Sequence, residues 1–419
     1  MPSPKKILQE VLEQIQPDKK YESRVFEKLG SIISKINKNN TKICAILGGS
    51  GAKKTHLKAF DADIFVLFDY KRYSSKSDKI SDILEAMLKK KFKKVSRLHG
   101  SRDYFQIKQA GMTFEIVPIL KIKKAQDAKN ITDVSPLHSR WVLRHKKLVN
   151  DIRLAKQFAH AQGVYGAESY IKGFSGYVCE IMTIYYGSFL NLLKRAAKWK
   201  IGAVIDAKKY YEGKDVFAIM NLSKLSSPLI IIDPVQKERN AAAALGIEKF
   251  TKFKRAAALF LKNPSRKFFE KENFAGIFEM QKKGGMKLVK LLVQPLEGKT
   301  DIVGAKMLKI FGFLNSKIKN NGFEVLRSDW EWDKKNNAVF YLLFDKKPLP
   351  KMVEIEGPPV CIENHAENFK KKHRKTFVRG SKIFAKETRK FTQPEDFLRH
   401  SVRDPSLKFY CKSIKLITG

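Results

Sequence analysis

Residues 47–68 read LGGSGAKKTHLKAFDADIFVLF. From position 61 to 68 the run alternates and then becomes continuously apolar, which is strand patterning, yet it opens on Asp61-Ala62-Asp63. Residues two apart on a strand point to the same face. Two carboxylates that close repel unless a cation lies between them, so one reading of this strand is that it begins at an open, cation-holding face. An isolated D-x-D also fits an exposed strand end. Upstream, a strand over 43–47 ends at Gly48-Gly49-Ser50, and Gly51 to Thr55 can open a helix. Such a turn, with Ser50, Lys53 and Lys54 beside it, suits a phosphate. The G-x-x-x-x-G-K-[ST] spacing of a P-loop is missing, and taken alone "GGS" fits an ordinary strand-to-helix turn. A third carboxylate tips the reading. Tyr104 to Lys108 and Thr113 to Pro118 read as a hairpin across Ala110-Gly111, with Phe114 and Ile116 facing one way and Glu115 the other. Oxygen ligands of this kind favour Mg²⁺.

The rest of the chain bounds what such a site serves. Lys and Arg number 83 against 42 Asp and Glu, a net charge of +41. An excess of this size repels itself in a compact fold and is relieved by a polyanion. Nucleic acid is the first partner this implies and an anionic membrane the second; a generally lysine-rich proteome also accounts for it. No run approaches the roughly 20 apolar residues of a membrane span, and the first residues lack the apolar core of a signal peptide. Cys44, Cys179, Cys361 and Cys411 are scattered without C-x-x-C spacing. A cytoplasmic protein without a membrane span is expected.

Periodicity predicts an α+β multidomain chain. Val25, Leu29, Ile32 and Ile36 share one helical face, and 77–92 reads as a second helix. Residues 1–140 thus form an α+β head with a mixed sheet. Residues 141–262 read as mostly helical, with an apolar stripe from Val178 to Leu192, a strand over 228–232 stopped at Asp233-Pro234, and a helix running from near Arg239 to Leu261. Residues 263–419 read as an α+β body and tail. Within them, 287–344 has a β-α-β-β rhythm akin to part of a ferredoxin-like sheet. The stretch 370–390 carries ten Lys/Arg against Glu387 alone, a pattern that fits solvated surface or a backbone-binding strip.

Glycine-serine, D-x-D and a later carboxylate together resemble the nucleotidyltransferase superfamily typified by DNA polymerase beta. Six further stretches occur in order: DVSPLHSRWV (133–142), GVYGAESYIKGFSGYVCEIMTIYYGSF (163–189), IIDPVQKERNAAAAL (231–245), FYLLF (340–344), GPPV (357–360) and EDFLR (395–399). With them the chain is similar to the archaeal (class I) CCA-adding enzymes from about residue 40 to 400. That resemblance implies template-independent addition of C, C and A to tRNA 3′ ends from CTP and ATP, by a two-metal-ion mechanism. It carries Asp61, Asp63 and Glu115 over as catalytic Mg²⁺ ligands. It carries Gly49, Ser50, Lys53, His138, Lys156 and Tyr165 over as nucleotide contacts, and Arg239 as a reader of the base. It implies tRNA contacts along the acceptor stem and T arm, and a homodimer. Three departures stand out: the loop "THLKAFDAD" is one residue shorter than the family's T-x-L-x-G-x-x-D and lacks its glycine, Glu115 stands where aspartate is common, and Lys53 where arginine is frequent. A related enzyme adding only A or only C, a poly(A)-polymerase-like tailing activity, and a non-catalytic RNA-binding protein are the alternatives.

Overall fold

The computed structural model describes residues 3–58, 62–109, 111–271, 278, 281 and 284–417. Asp61 and Ala110, along with Ala59 and Phe60 of the clipped loop, lie outside those described residues. The chain divides into two compact units, 1–272 and 273–419.

The first unit opens with helix α1 (Pro4–Ile15), followed by α2 (Lys19–Asn37). Asp18 caps α2 by accepting from the Tyr21 N–H at 2.9 Å, satisfying one of the donors a helix start leaves unpaired. Val25, Leu29, Ile32 and Ile36, the predicted apolar face, are all buried. The polypeptide continues through β1 (Ile43–Leu47), the five-residue helix α3 (Gly49–Lys53), β2 (Ala62–Asp69), α4 (Ile80–Lys91), β3 (Val95–Leu98), β4 (Tyr104–Gln109) and β5 (Met112–Lys121). The sheet order is β1-β2-β5-β4-β3, with β2 and β5 parallel and the other pairs antiparallel. This is the mixed sheet expected; β3, short and polar, has no apolar pattern to announce it.

Alternation sorts the sheet's faces. Ile64, Val66, Phe68, Phe105, Phe114 and Ile116 are buried in one core with α2 and α4 residues, leaving Asp63 and Glu115 on the opposite side. The carboxylate of buried Asp133 ties the end of β5 in place. It accepts from Arg102, from the Leu120 N–H at 2.8 Å and from the Asn130 N–H at 3.0 Å.

The helical part comprises α5 (Ser135–Leu143), α6 (Val149–Ala161), α7 (Gly176–Tyr186), α8 (Phe189–Ala196) and α9 (Ile247–Lys262). Helix α1 contributes Ile7, Leu8, Val11 and Ile15 to this second core, away from its sequence neighbours in α2. The single stripe predicted over 178–192 is two helices: Gly187 takes φ +76° and Ser188 caps α8, a left-handed stop that glycine adopts without strain. The helix predicted to start near Arg239 starts instead at Ile247. Before it, the Asn240 side chain accepts from the Ile231 and Ala242 N–H groups at 2.9 Å each. These bonds hold 239–246 as a return against the parallel pair β6 (Ala203–Asp206) and β7 (Leu229–Ile232), so local side-chain bonding outweighs the helix propensity of the alanine run.

The second unit contains β8 (Met286–Pro295), α10 (Thr300–Asn320), β9 (Val325–Trp332), β10 (Ala338–Asp345), β11 (Met352–Pro359), α11 (Glu363–Lys372), β12 (Thr376–Arg379), β13 (Lys382–Thr388), α12 (Pro394–Ser401) and β14 (Cys411–Ile417). The antiparallel order β14-β8-β10-β9 with its two helices is a complete ferredoxin-like β-α-β-β-α-β unit. Val303, Met307, Ile310, Leu314 and Ile318 of α10 are buried in its core. The sheet β11-β13-β12 and α11 are inserted between β10 and α12. The chain enters and leaves that insertion through a paired stalk, Leu349 N–H to Thr392 O at 2.9 Å and Arg389 N–H to Lys351 O at 2.7 Å. Among the described residues no helix is long and apolar enough to cross a membrane.

Candidate active site

In-register parallel pairing sets Asp63 of β2 directly beside Glu115 of β5. Gln106, opposite Glu115 on β4, donates its Nε2–H to Glu115 Oε1 at 2.8 Å and fixes that carboxylate's aim. The glycine-serine turn closes over the pair. The Gly48 N–H donates to Asp63 O at 2.8 Å, and Gly49 has φ +52°. A Cβ on Gly49 would lie 1.6 Å from Asp63 Oδ2, so only glycine leaves room for the carboxylate. Two acceptor-only groups on adjoining strands, cradled by backbone, fit a hard divalent cation held by oxygen. Asp61, the remaining predicted ligand, lies outside the described residues; among these no group of three His, Cys, Asp or Glu side chains gathers as a metal cage.

Behind the turn lies a buried ionic hub that sequence patterning does not reveal. Glu180, on α7 and fully buried, accepts from Lys53 Nζ at 2.7 Å, Lys156 Nζ at 2.7 Å and Thr55 Oγ1 at 2.7 Å. Burial pushes the Glu180 carboxyl up, but Lys156 and Lys53 pull harder and bring it to about 2. Lys156 sits 3% exposed. It also donates to Thr55 Oγ1 at 2.9 Å and Thr55 O at 3.2 Å, which engages all three ammonium protons. Burial lowers its pKa and Glu180 opposes that. Lys53, 12% exposed, is the cation of this hub that reaches the surface.

The described part of the loop that follows, 55–58, is pinned from several sides. Thr55 N–H donates to Ser50 O at 3.1 Å, and Lys58 N–H to Ile15 O at 2.9 Å. Arg153 Nε–H donates to His56 O at 3.0 Å, and His56 Nε2 pairs with Glu22 at 2.8 Å. Helices α1, α2 and α6 therefore hold 55–58.

A second buried carboxylate gathers two predicted residues. Asp233, at the end of β7 and fully buried, accepts from His138 Nε2 at 3.1 Å and Arg239 Nη1 at 2.5 Å on one oxygen. Its other oxygen accepts from Tyr177 OH at 3.1 Å and the Val235 N–H at 2.8 Å. Burial raises the Asp233 carboxyl, and His138 and Arg239 outweigh it and hold it at about 2. An ionised carboxylate only accepts, so His138 carries its proton on Nε2 and turns Nδ1 outward from this bond. The His138 ring stacks on Tyr177 with centroids 4.1 Å apart, and Lys53 Nζ lies 5.8 Å from the Tyr177 ring centre, which joins the two clusters. Burial, then Asp233, raises the Tyr177 phenol far above its usual range. Tyr165 stacks on His160 at 3.7 Å, and a Cβ on Gly176 would come within 2.6 Å of its hydroxyl and 3.6 Å of Lys156 Cε. Tyr165 thus borders the hub.

Gly49, Ser50, Lys53, Lys156 and Tyr165 fall in one neighbourhood, and His138 and Arg239 in the adjoining one. Glu180, Asp233, Tyr177 and Thr55 are the additions. The available signals were a lone acid inside the apolar run YVCEIMTIYY and an aspartate stopping the strand LIIID.

A mixed sheet presenting paired carboxylates under a glycine-serine turn defines a nucleotidyltransferase head of the polymerase-beta type. The fold agrees with solved structures of that type: a cytoplasmic RNA terminal U-transferase (TM-score 0.50, 14% identity, 64% of this chain and 98% of that one) and a poly(U) polymerase bound to MgATP (TM-score 0.52, 14% identity, the same coverage). Residues 150–270 match the family described as tRNA nucleotidyltransferase, second domain, and 294–408 match the CCA-adding enzyme C-terminal domain. The CCA-adding enzyme of Methanocaldococcus jannaschii is 35% identical over 94% of this chain and 90% of its own. That of Nanoarchaeum equitans is 36% identical over 88% and 89%. The chain belongs to the archaeal CCA-adding enzyme family of tRNA nucleotidyltransferases.

Proposed function

We propose that this enzyme completes tRNA by adding C, C and A to the 3′ end from CTP and ATP, without a template. The observation that carries the chemistry is the registered Asp63–Glu115 pair beneath the Gly49–Ser50 turn. In each cycle the RNA 3′-hydroxyl gives up its proton to water, its oxygen bonds to the nucleotide α-phosphorus, the bond from that phosphorus to the α–β bridging oxygen breaks, and pyrophosphate leaves with the electron pair. Asp63, Glu115 and Asp61 would hold Mg²⁺, which when bound supplies Lewis acidity at the hydroxyl and neutralises phosphate charge. Ser50 and Lys53 receive the triphosphate. Arg239, fixed by Asp233, presents N–H donors to the base. A donor facing the ring nitrogen donates to cytosine N3 or adenine N1, and meets an N–H at that position in uracil and guanine.

The C-terminal region supplies the grip on tRNA. On the open face of β12 and β13, the Phe377 and Phe384 rings stack at 5.8 Å, with the Arg379 guanidinium 5.3 and 5.2 Å from their centres. Cations over aromatic rings suit phosphates and unstacked bases, and recognition by shape and backbone serves every tRNA along its acceptor stem and T arm. A cytoplasmic homodimer completes this reading, with sedimentation as its check.

The test gives purified protein a tRNA ending at the discriminator base, with Mg²⁺ and CTP, ATP or both. Complete CCA addition is expected. Incorporation of one nucleotide type alone would select a tailing enzyme, and no incorporation with either Mg²⁺ or Mn²⁺ would overturn nucleotidyl transfer.

A further inference from the structure

Glu180 lies behind the turn that carries Ser50 and Lys53, on a different segment of the chain, and has no exposed surface. Its two oxygens accept from three donors: Lys53 on one, Thr55 and Lys156 on the other. Each donor bears on the nucleotide side of the site. Lys53 is the partly exposed cation. Thr55 closes the turn of Ser50 through its N–H at 3.1 Å and begins the loop that leads to the catalytic strand. Lys156 bonds both Thr55 oxygens, so Glu180 and Lys156 grip Thr55 jointly. Two ammonium groups share one carboxylate, which leaves the hub one positive charge in excess; an incoming polyphosphate offsets it.

We propose that Glu180 is a positioning residue for the triphosphate: one buried carboxylate on α7 that sets the aim of Lys53 and locks the Ser50–Thr55 turn at the height of the carboxylate pair. This rests on the nucleotide site described under the proposed function. Glu180 acts through Lys53 and Thr55 and touches no substrate atom. It serves CTP and ATP alike, because the base is read at the adjoining Asp233–Arg239 cluster, whose hydrogen bonds involve neither Glu180 nor its three donors. The role is distinct from simple electrostatics. Removing the Glu180 charge makes the hub more positive, so charge alone would strengthen triphosphate binding, whereas loss of aim weakens it.

The two directions make the test. In Glu180→Gln, assayed well below its melting temperature at saturating tRNA, KM for CTP and ATP is expected to rise in parallel by about tenfold or more, the scale for losing a hydrogen bond to a charged group. The ratio of CTP to UTP use and the Kd for tRNA stay put. Thr55→Val, which removes one neutral donor and no charge, moves both KM values about threefold in the same direction. A fall in KM would show that charge governs, and unchanged KM with a lower melting temperature would show a purely structural carboxylate; either overturns the proposal. If Glu180→Gln fails to fold, Thr55→Val decides, and unchanged KM there overturns it. Should the wild-type protein add neither C nor A to tRNA, the functional reading fails by itself. Equilibrium titration of wild type and Thr55→Val with inorganic triphosphate then tests the hub: weaker binding by the variant supports it, and equal binding overturns it.

Discussion

In the first unit three organising carboxylates lie inside. Asp133, Glu180 and Asp233 have no exposed surface, and each accepts three or more hydrogen bonds from fixed donors. In the second unit the described ion pairs are all at least partly exposed, among them Arg379 with Glu354 at 3.0 Å, Lys412 with Glu297 at 2.8 Å and Lys317 with Asp404 at 2.5 Å. Breaking a buried pair costs on the order of 3–5 kcal/mol because the survivor stays uncompensated. Exposed pairs exchange partners cheaply and weaken with salt. The contrast fits the ligands proposed for the two units. A triphosphate and a base edge need fixed donors; a long RNA backbone needs many adjustable ones.

The sharpest way to break this contrast is at the carboxylate face. Asp63→Ala is expected to lower CCA addition more than about 10³-fold while leaving salt-sensitive tRNA binding in a filter assay intact; joint loss of both would erase the division of labour. Next comes Asp233→Asn, which frees Arg239 and His138. A loss of kcat/KM of about a hundredfold is expected, with rising UTP misincorporation, read by single-nucleotide extension. If discrimination holds, Arg239 does not read the base.

A third measurement concerns acid. Glu180 and Asp233 are depressed to about 2 in the folded protein, from ordinary values of 4.5 and 3.8. Their stabilisation is therefore full above the ordinary values and lost as pH falls from there toward 2. Urea unfolding followed from pH 6 to 3 should show stability falling more steeply for wild type than for Glu180→Gln; parallel curves would count against the buried hub. Smaller still, replacing Arg379, Lys382 and Lys386 with Ala should flatten the log–log salt dependence of tRNA binding by about one unit per lost phosphate contact. Turnover at saturating tRNA should stay within about twofold. Last, Lys412→Ala should leave the melting temperature within about a degree of wild type.

Much of this was legible beforehand where pattern and packing agree. The face Val25-Leu29-Ile32-Ile36, the alternation that parts Glu115 from Phe114 and Ile116, and the β-α-β-β rhythm of 287–344 all appear as read. Departures have two causes, a polar side chain that bonds backbone away from its own position and a glycine that takes a left-handed turn. Asn240 turns an alanine-rich run into a return, and Gly187 divides one apolar stripe into two helices. Candidate site residues were legible through motif resemblance, but their organisers were not. Glu180 resembles an intruder in an apolar helix until Lys53 and Lys156 arrive from 127 and 24 residues away, a pairing that no local period encodes.

The stalk at Leu349–Thr392 and Lys351–Arg389 gives the insertion a narrow doorway into a body whose β-α-β-β-α-β circuit is complete without it. Segments that leave and return at one point are tolerant of exchange. A chain joining Leu349 to Thr392 through a short turn should keep the body's fold by circular dichroism while losing the Phe377–Arg379 face. The insertion is thus built as a cassette: its sheet and helix can be exchanged for another pair while the β-α-β-β-α-β circuit stays as it is.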